Sequence, residues 1–241
     1  LFLVFGCFVF VLTHLSLSPK TALSMKPKIS RREFTKTTAA AFTILKAGSA
    51  LTYAANEKLN IASVGAGGQA GGDIMALSSE NIVGLCDVDW NRANLMFKRF
   101  PKAKRFKDYR IMLETMEKEV DAVIVGTPDH HHFHASLNAL KRGKHVYCEK
   151  PLTLTVDEGR IVSKVAEETG QILQVGTQQR SDERFLKAVA IAHSGRLGKI
   201  RKVTVGINHN PFSKPLPVVS APKTLNWDRW KGPTEDVPYR F

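Results

Sequence analysis

The sequence predicts an α/β protein: a doubly wound parallel sheet, then the opening of a second α/β region whose sheet is open and mostly antiparallel. Three observations predict it. From Leu59 to Val175 short apolar runs alternate with helix-length amphipathic stretches, the pattern of βαβ units. The run Val120 to Val125, apolar but for Asp121, suits a strand covered on both faces. A glycine-rich turn directly follows the first apolar run. The 241 residues are 43% hydrophobic and 24% charged, which excludes a disordered, collagen-like or multi-span membrane chain. Three cysteines, Cys7, Cys86 and Cys148, are too few for a disulfide scaffold.

Taken in order, residues 1–56 read as a targeting segment rather than as fold. The chain opens on Leu1 and an apolar run to Leu12, too short for a membrane span. Met25 is the expected true start. Ser30-Arg31-Arg32-Glu33-Phe34-Thr35-Lys36 resembles the twin-arginine export motif, and an Ala/Thr-rich stretch ending at Ala54-Ala55 completes a signal layout over residues 30–55. The expectation is export by the twin-arginine machinery to the periplasm, with anchoring by residues 1–17 as the lesser alternative.

A domain of this alternating α/β kind is expected over residues 57–178. Leu59 to Val64 is its first strand and a helix follows to about Leu77. Ile82 to Cys86 is a strand, Asp89 to Phe100 and Asp108 to Lys118 are helices, and Val120 to Val125 is the next strand. Asp129 to Arg142 is helical, with Phe133, Leu137 and Leu140 on one face and Gly143 as the stop. His145 to Cys148, a helix from Thr155 to Thr169, and Ile172 to Val175 complete the alternation. Residues 179–241 are expected to begin a second, truncated domain. Asp182 to Ala192 reads as a helix, Lys199 to Asn208 as a strand, and prolines punctuate the remainder.

The formal net charge of +13 raises nucleic acid as a partner. Residues 1–55 hold +6 of it, inside the targeting segment, and the other +7 is scattered. Aromatic residues do not interleave with the basic ones as a stacking platform requires, so no nucleic-acid partner is expected.

The chemistry concentrates at strand ends. Gly65-Ala66-Gly67-Gly68-Gln69-Ala70 matches G-x-G-x-x-A between a strand and a helix. Gly65 allows the tight turn, Gly67 lets the backbone approach a pyrophosphate, and small Ala70 lets helix and strand pack closely. The helix N-terminus offers free N–H groups to phosphate. Asp87, 22 positions after Gly65, ends the second strand, the place for a carboxylate that bonds a ribose 2′-OH and repels a 2′-phosphate. NAD is favoured over NADP, although Arg92 nearby keeps NADP open. Thr127-Pro128 closes the strand from Val120 and should border the nicotinamide. Glu149-Lys150-Pro151 closes the strand from His145. There Lys150 can hold a substrate hydroxyl and relay its proton, with Glu149 orienting it. His130 and His134 stand at the i, i+4 spacing of a helical zinc pair. No Cys or further carboxylate follows in the usual spacing, so no metal site is expected, and one or two of the histidines should line the cofactor cleft.

Together these motifs resemble the glucose-fructose oxidoreductase / inositol dehydrogenase / MocA (Gfo/Idh/MocA) family. Beyond the glycine loop they include Cys86-Asp87-Val88-Asp89, Thr127-Pro128-Asp129-His130, Gly143-Lys144-His145-Val146-Tyr147-Cys148-Glu149-Lys150-Pro151 and Gly176-Thr177-Gln178-Gln179-Arg180. The resemblance implies that residues 57–178 are an NAD(P)-binding Rossmann domain, that residues 179–241 open a substrate and oligomerisation domain, and that Lys150, with Glu149 beside it, is catalytic. It also implies a dinucleotide site drawn from Gly65, Gly67, Gly68, Ala70, Asp87 and Val88 on one side, and from Thr127, Pro128, His130, Glu149, Lys150 and Gln178 on the other. The implied activity is hydride transfer between a sugar or polyol carbon and NAD(P) in a homo-oligomer. An NAD-dependent glycoside hydrolase working by transient oxidation, and a non-catalytic dinucleotide-binding module, are the alternatives. The second-domain catalytic element expected of the family is not found before Phe241, so this chain is expected to be a fragment that binds cofactor without turnover.

Overall fold

A computed structural model of the chain describes residues 4–5, 8–9, 58–204, 206 and 214–241. The twin-arginine motif and Met25 lie outside the described residues. Near the start, Val4–Phe5 pairs antiparallel with Phe8–Val9. No helix among the described residues is long and apolar enough to cross a membrane.

Six strands form one parallel sheet: β1 (Asn60–Val64), β2 (Asn81–Cys86), β3 (Lys104–Phe106), β4 (Ala122–Val125), β5 (His145–Glu149) and β6 (Leu173–Gly176). Their order is β3-β2-β1-β4-β5-β6. The chain builds outward from β1 in one direction, then returns to build outward in the other. The strand order therefore reverses between β1 and β4, which are paired with Val64 opposite Val125. That is the point where open α/β sheets bind ligands.

Alternation along the strands explains the two packed layers. Ile61, Ile124 and Leu85 face α1 (Gln69–Ala76) and α2 (Asn94–Arg99), packing on Ile74, Met96 and Phe97. Ala62, Val64, Val123, Val125 and Val146 face the other way. They meet Met112 and Leu113 of α3 (Tyr109–Thr115), Ala135 and Leu140 of α4 (Asp129–Lys141), and Val162 of α5 (Val156–Thr169). Burying an aliphatic side chain of this size contributes about 1.5–3 kcal/mol. Cys86 and Cys148 are free and buried within the second layer. Local signals set the ends of α5. Thr155 and Glu158 form a reciprocal capping box, and Gly170 closes the helix in the left-handed conformation.

Three elements depart from the sequence reading. β3 was not foreseen, because its three residues are mostly exposed and too few to show a period. α2 starts at Asn94 rather than Asp89, because Asp89 Oδ1 accepts the Asn91 and Arg92 N–H groups and holds the chain in a turn. After α6 (Glu183–His193), residues 199–204 form no strand, contrary to the strand expected from Lys199. Ile200 and Val203 stay exposed there, and without a paired neighbour an extended segment has no ladder to hold it. The far end of that expected strand lies outside the described residues. The proline-rich tail also does more than expected: it contains α7 (Trp227–Lys231) and returns to the sheet through an antiparallel bridge between Leu225 and Asp89.

Candidate functional site

At the carboxyl ends of β1, β2 and β4 a cleft of about 1000 Å³ opens. Its lining includes Gly65, Gly67, Asp87, Val88, Thr127 and Pro128, so six positions singled out from the sequence converge on one cavity.

Close packing forces the shape of the glycine loop. Gly65 has φ +91°, and a Cβ there would stand 2.7 Å from the Gly126 carbonyl oxygen. At Gly67 a Cβ would stand 2.6 Å from Arg92 Cγ. Ala70 is fully buried, and a Cβ on Gly126 would come within 2.6 Å of its own Cβ. Small residues on both sides of that contact bring α1 down onto the sheet. Gly126 was missed in the sequence, although its place one residue after an apolar run was a signal. Gly68, the N-cap of α1, offers no side chain to the helix, so the first-turn N–H groups are open to a phosphate. Thr127 Oγ1 is buried with no hydrogen-bond partner among the described residues. The uncapped helix start, the loop that tolerates no side chain and the orphaned hydroxyl all fit a dinucleotide.

Asp87 stands at the centre of the loop. Its Oδ2 accepts the N–H groups of Ala66 (2.9 Å) and Gly67 (3.2 Å), and its Oδ1 accepts that of Asp89 (2.9 Å). Burial pushes its carboxyl above the usual carboxylate range, while these three N–H bonds pull it back. Arg92 and Lys107 line the same cleft, as do Asp89 and the Asp108–Arg110 ion pair, so Asp87 shares the cleft with charges of both signs.

The histidines divide by role. His131 and His134 line the cleft, whereas His130, the one singled out, turns its Nε2 to donate to the Trp230 carbonyl at 2.7 Å. His131 Nε2 donates to the same oxygen at 2.9 Å, and burial holds its ring below the usual histidine range. His132 is 1% exposed. Its Nδ1 lies 2.6 Å from the Pro151 carbonyl oxygen and its Nε2 2.8 Å from that of Thr127. It ties the turn after β4 to the turn after β5.

Glu149, Lys150 and Gln178 do not line the cleft. Alternation along β5 sends Tyr147 and Glu149 to the face that carries α1. There the 4% exposed Glu149 carboxylate accepts from Gln178 Nε2 (2.9 Å) and Tyr147 Oη (3.2 Å). Lys150 follows, exposed at the strand end. Asp73 of α1 joins this group without having been foreseen. Burial first, then the neighbouring Glu149 charge, push its carboxyl up to about 6. Its position three residues after the buried Ala70 puts it on the inner helix face, which was the available signal.

Comparison with known proteins agrees with this geometry. Residues 59–177 match the model of the GFO_IDH_MocA oxidoreductase family, described as an NAD-binding Rossmann fold. The NADP(+) scyllo-inositol 2-dehydrogenase IolW of Bacillus subtilis is 32% identical over 131 residues, covering 52% of this chain and 37% of the relative. The NAD(+) scyllo-inositol 2-dehydrogenase of the same organism is 39% identical over 80 residues, 33% of this chain and 23% of the relative. The crystal structure of myo-inositol 2-dehydrogenase from Lactobacillus plantarum superposes with a TM-score of 0.56 at 27% identity, covering 60% of this chain and 43% of that one. The chain spans well under half the length of the curated relatives it matches. Through this domain the chain belongs to the Gfo/Idh/MocA family of oxidoreductases, and the domain is of that family's NAD-binding Rossmann type.

Proposed function

We propose that the chain supplies the cofactor half of an NAD-dependent oxidoreductase that oxidises a hydroxyl-bearing carbon of a sugar or cyclic polyol. The observation that carries the reading is the meeting of Gly65, Gly67, Asp87 and Thr127 in one cleft at the point where the strand order reverses. Bound NAD supplies the hydride acceptor. Asp87 bonds the adenosine ribose hydroxyls and disfavours a 2′-phosphate, and the α1 N-terminus neutralises the pyrophosphate. Lys150, at the end of the strand next to β4, takes the proton of the substrate hydroxyl as its carbon loses hydride, leaving a carbonyl. Glu149, held by Gln178 and Tyr147, positions the turn that presents Lys150. His132 couples that turn to Thr127.

The inositol dehydrogenases among the relatives make myo- and scyllo-inositol the first substrates to try. Equilibrium dialysis of the purified chain against NAD and NADP tests the cofactor reading; retention of NAD over NADP supports it, and no retention of either overturns it. Inositol-dependent NADH formation by a protein that joins this domain to a substrate half, lost in Lys150→Ala, tests the activity.

A further inference from the structure

The tail of the chain returns to the mouth of the cleft and is fastened on both sides of it. At one end, Asn226 N–H donates to the Val88 carbonyl at 2.9 Å, just past β2, and Leu225 bridges Asp89. At the other end, the Trp230 carbonyl accepts from both His130 and His131 at the start of α4, just past β4. β2 and β4 are the two neighbours of β1. A segment tied to the ends of both therefore crosses the carboxyl end of β1, where the glycine loop lies.

The segment is built to hold that course. Asn226 caps α7, its Oδ1 accepting the Arg229 N–H at 3.0 Å. The rings of Trp227 and Trp230 stack at 4.8 Å, and Tyr239 meets Trp227 edge-on at 5.1 Å. Arg229 Nη2 lies 3.7 Å from Asp108 Oδ2. Gly232 ends α7 at φ +55°, pressed against the His131 ring so closely that a Cβ would fall 2.2 Å from Cε1. Leu225, Trp227, Arg229 and Trp230 share the cleft lining with Gly65, Gly67 and Asp87.

We propose that Leu225–Gly232 is a strap across the mouth of the dinucleotide cleft that retains the bound dinucleotide and slows its release. The proposal rests on the NAD reading above. A dinucleotide held between loop and strap leaves only when the Val88 or the Trp230 fastening opens, so the strap acts on the dissociation rate more than on association. Gly232→Val strains the left-handed turn and drives the chain off His131, which loosens the Trp230 fastening without touching the glycine loop.

The test is release of NADH from the purified full chain, followed by energy transfer from tryptophan during a chase with excess NAD. Gly232→Val is expected to release NADH about tenfold faster than the parent, the effect of losing one to two hydrogen bonds. Amide hydrogen exchange on the parent needs no variant: NADH is expected to slow exchange across 225–232 as well as across 65–71. If the parent binds no NADH, the cofactor reading and the strap fall together. If NADH protects 65–71 but leaves 225–232 unchanged, and Gly232→Val releases at the parent rate, the strap alone is wrong.

Discussion

His132 Nδ1 lies 2.6 Å from the Pro151 carbonyl oxygen, while the opposite ring nitrogen reaches the Thr127 carbonyl at 2.8 Å. One buried imidazole thus sets the distance between the turn that lines the cofactor cleft and the turn that carries Lys150. Replacing it removes a ring nitrogen from beside each of two carbonyl groups and leaves a cavity between them. His132→Ala is expected to lower stability by about 2–4 kcal/mol in urea unfolding. His134→Ala, on the same helix but partly exposed, is expected to stay within about 1 kcal/mol of the parent. Equal losses in the two variants would refute the tie.

The contact between Gly126 and Ala70 makes a second prediction. A Cβ at 126 would meet Ala70 Cβ at 2.6 Å and Ala70 Cα at 2.9 Å, and neither can swing aside. Gly126→Ala is expected to cost about 1–3 kcal/mol by overpacking. It should also weaken NAD binding, because α1 must move off the sheet. An unchanged denaturation midpoint and NAD affinity would show that the close contact is not needed.

Asp87 should govern cofactor choice. Its carboxylate shares the cleft lining with Arg92 and Lys107, so its removal takes away a negative charge that would repel a 2′-phosphate and leaves these two cations to meet it. Asp87→Ser is expected to raise the NADP-to-NAD affinity ratio by roughly tenfold or more. Isothermal titration with both nucleotides gives the ratio, and a ratio equal to the parent's would place discrimination elsewhere.

Asp73 makes a pH-dependent prediction. Its carboxyl is raised from 3.8 to about 6 by burial and by Glu149, and its Oδ2 has no hydrogen-bond partner among the described residues. The folded state therefore binds this proton more tightly than the unfolded state does. Its stabilising effect is complete below pH 3.8 and is lost as pH rises through about 6. Asp73→Asn is expected to raise stability by on the order of 2 kcal/mol at neutral pH and by little near the ordinary carboxylate pKa. Melting curves across that range would contradict the account if the gain were the same at every pH.

Much of this was legible because each signal was local. The loop from Gly65 to Ala70 names its own turn, approach and packing positions, and Asp87 follows at the end of the next strand; Gly65, Gly67 and Asp87 line the cleft, and Ala70 packs against Gly126. What escaped depends on partners distant in sequence. Glu149 and Lys150 were read together, yet alternation along β5 buries Glu149 beside Asp73 and leaves Lys150 outside the cleft lining. His131 rather than His130 lines the cleft, although both rings bond the Trp230 carbonyl of α7. No spacing within Thr127–His134 announces a segment a hundred residues later. Residues 225–232 read as proline-punctuated tail because a five-residue helix has too few turns to show a period.

The cleft above Gly65–Gly67 is proposed to hold NAD. Isothermal titration of the purified chain with NAD, beside Gly67→Val, tests it most directly, because a side chain at 67 would collide with Arg92 and fill the space left for phosphate. Saturable one-to-one binding to the parent is expected, with a loss of about a hundredfold or more in the folded variant. No heat of binding in the parent, or equal affinity in the two proteins, would contradict it.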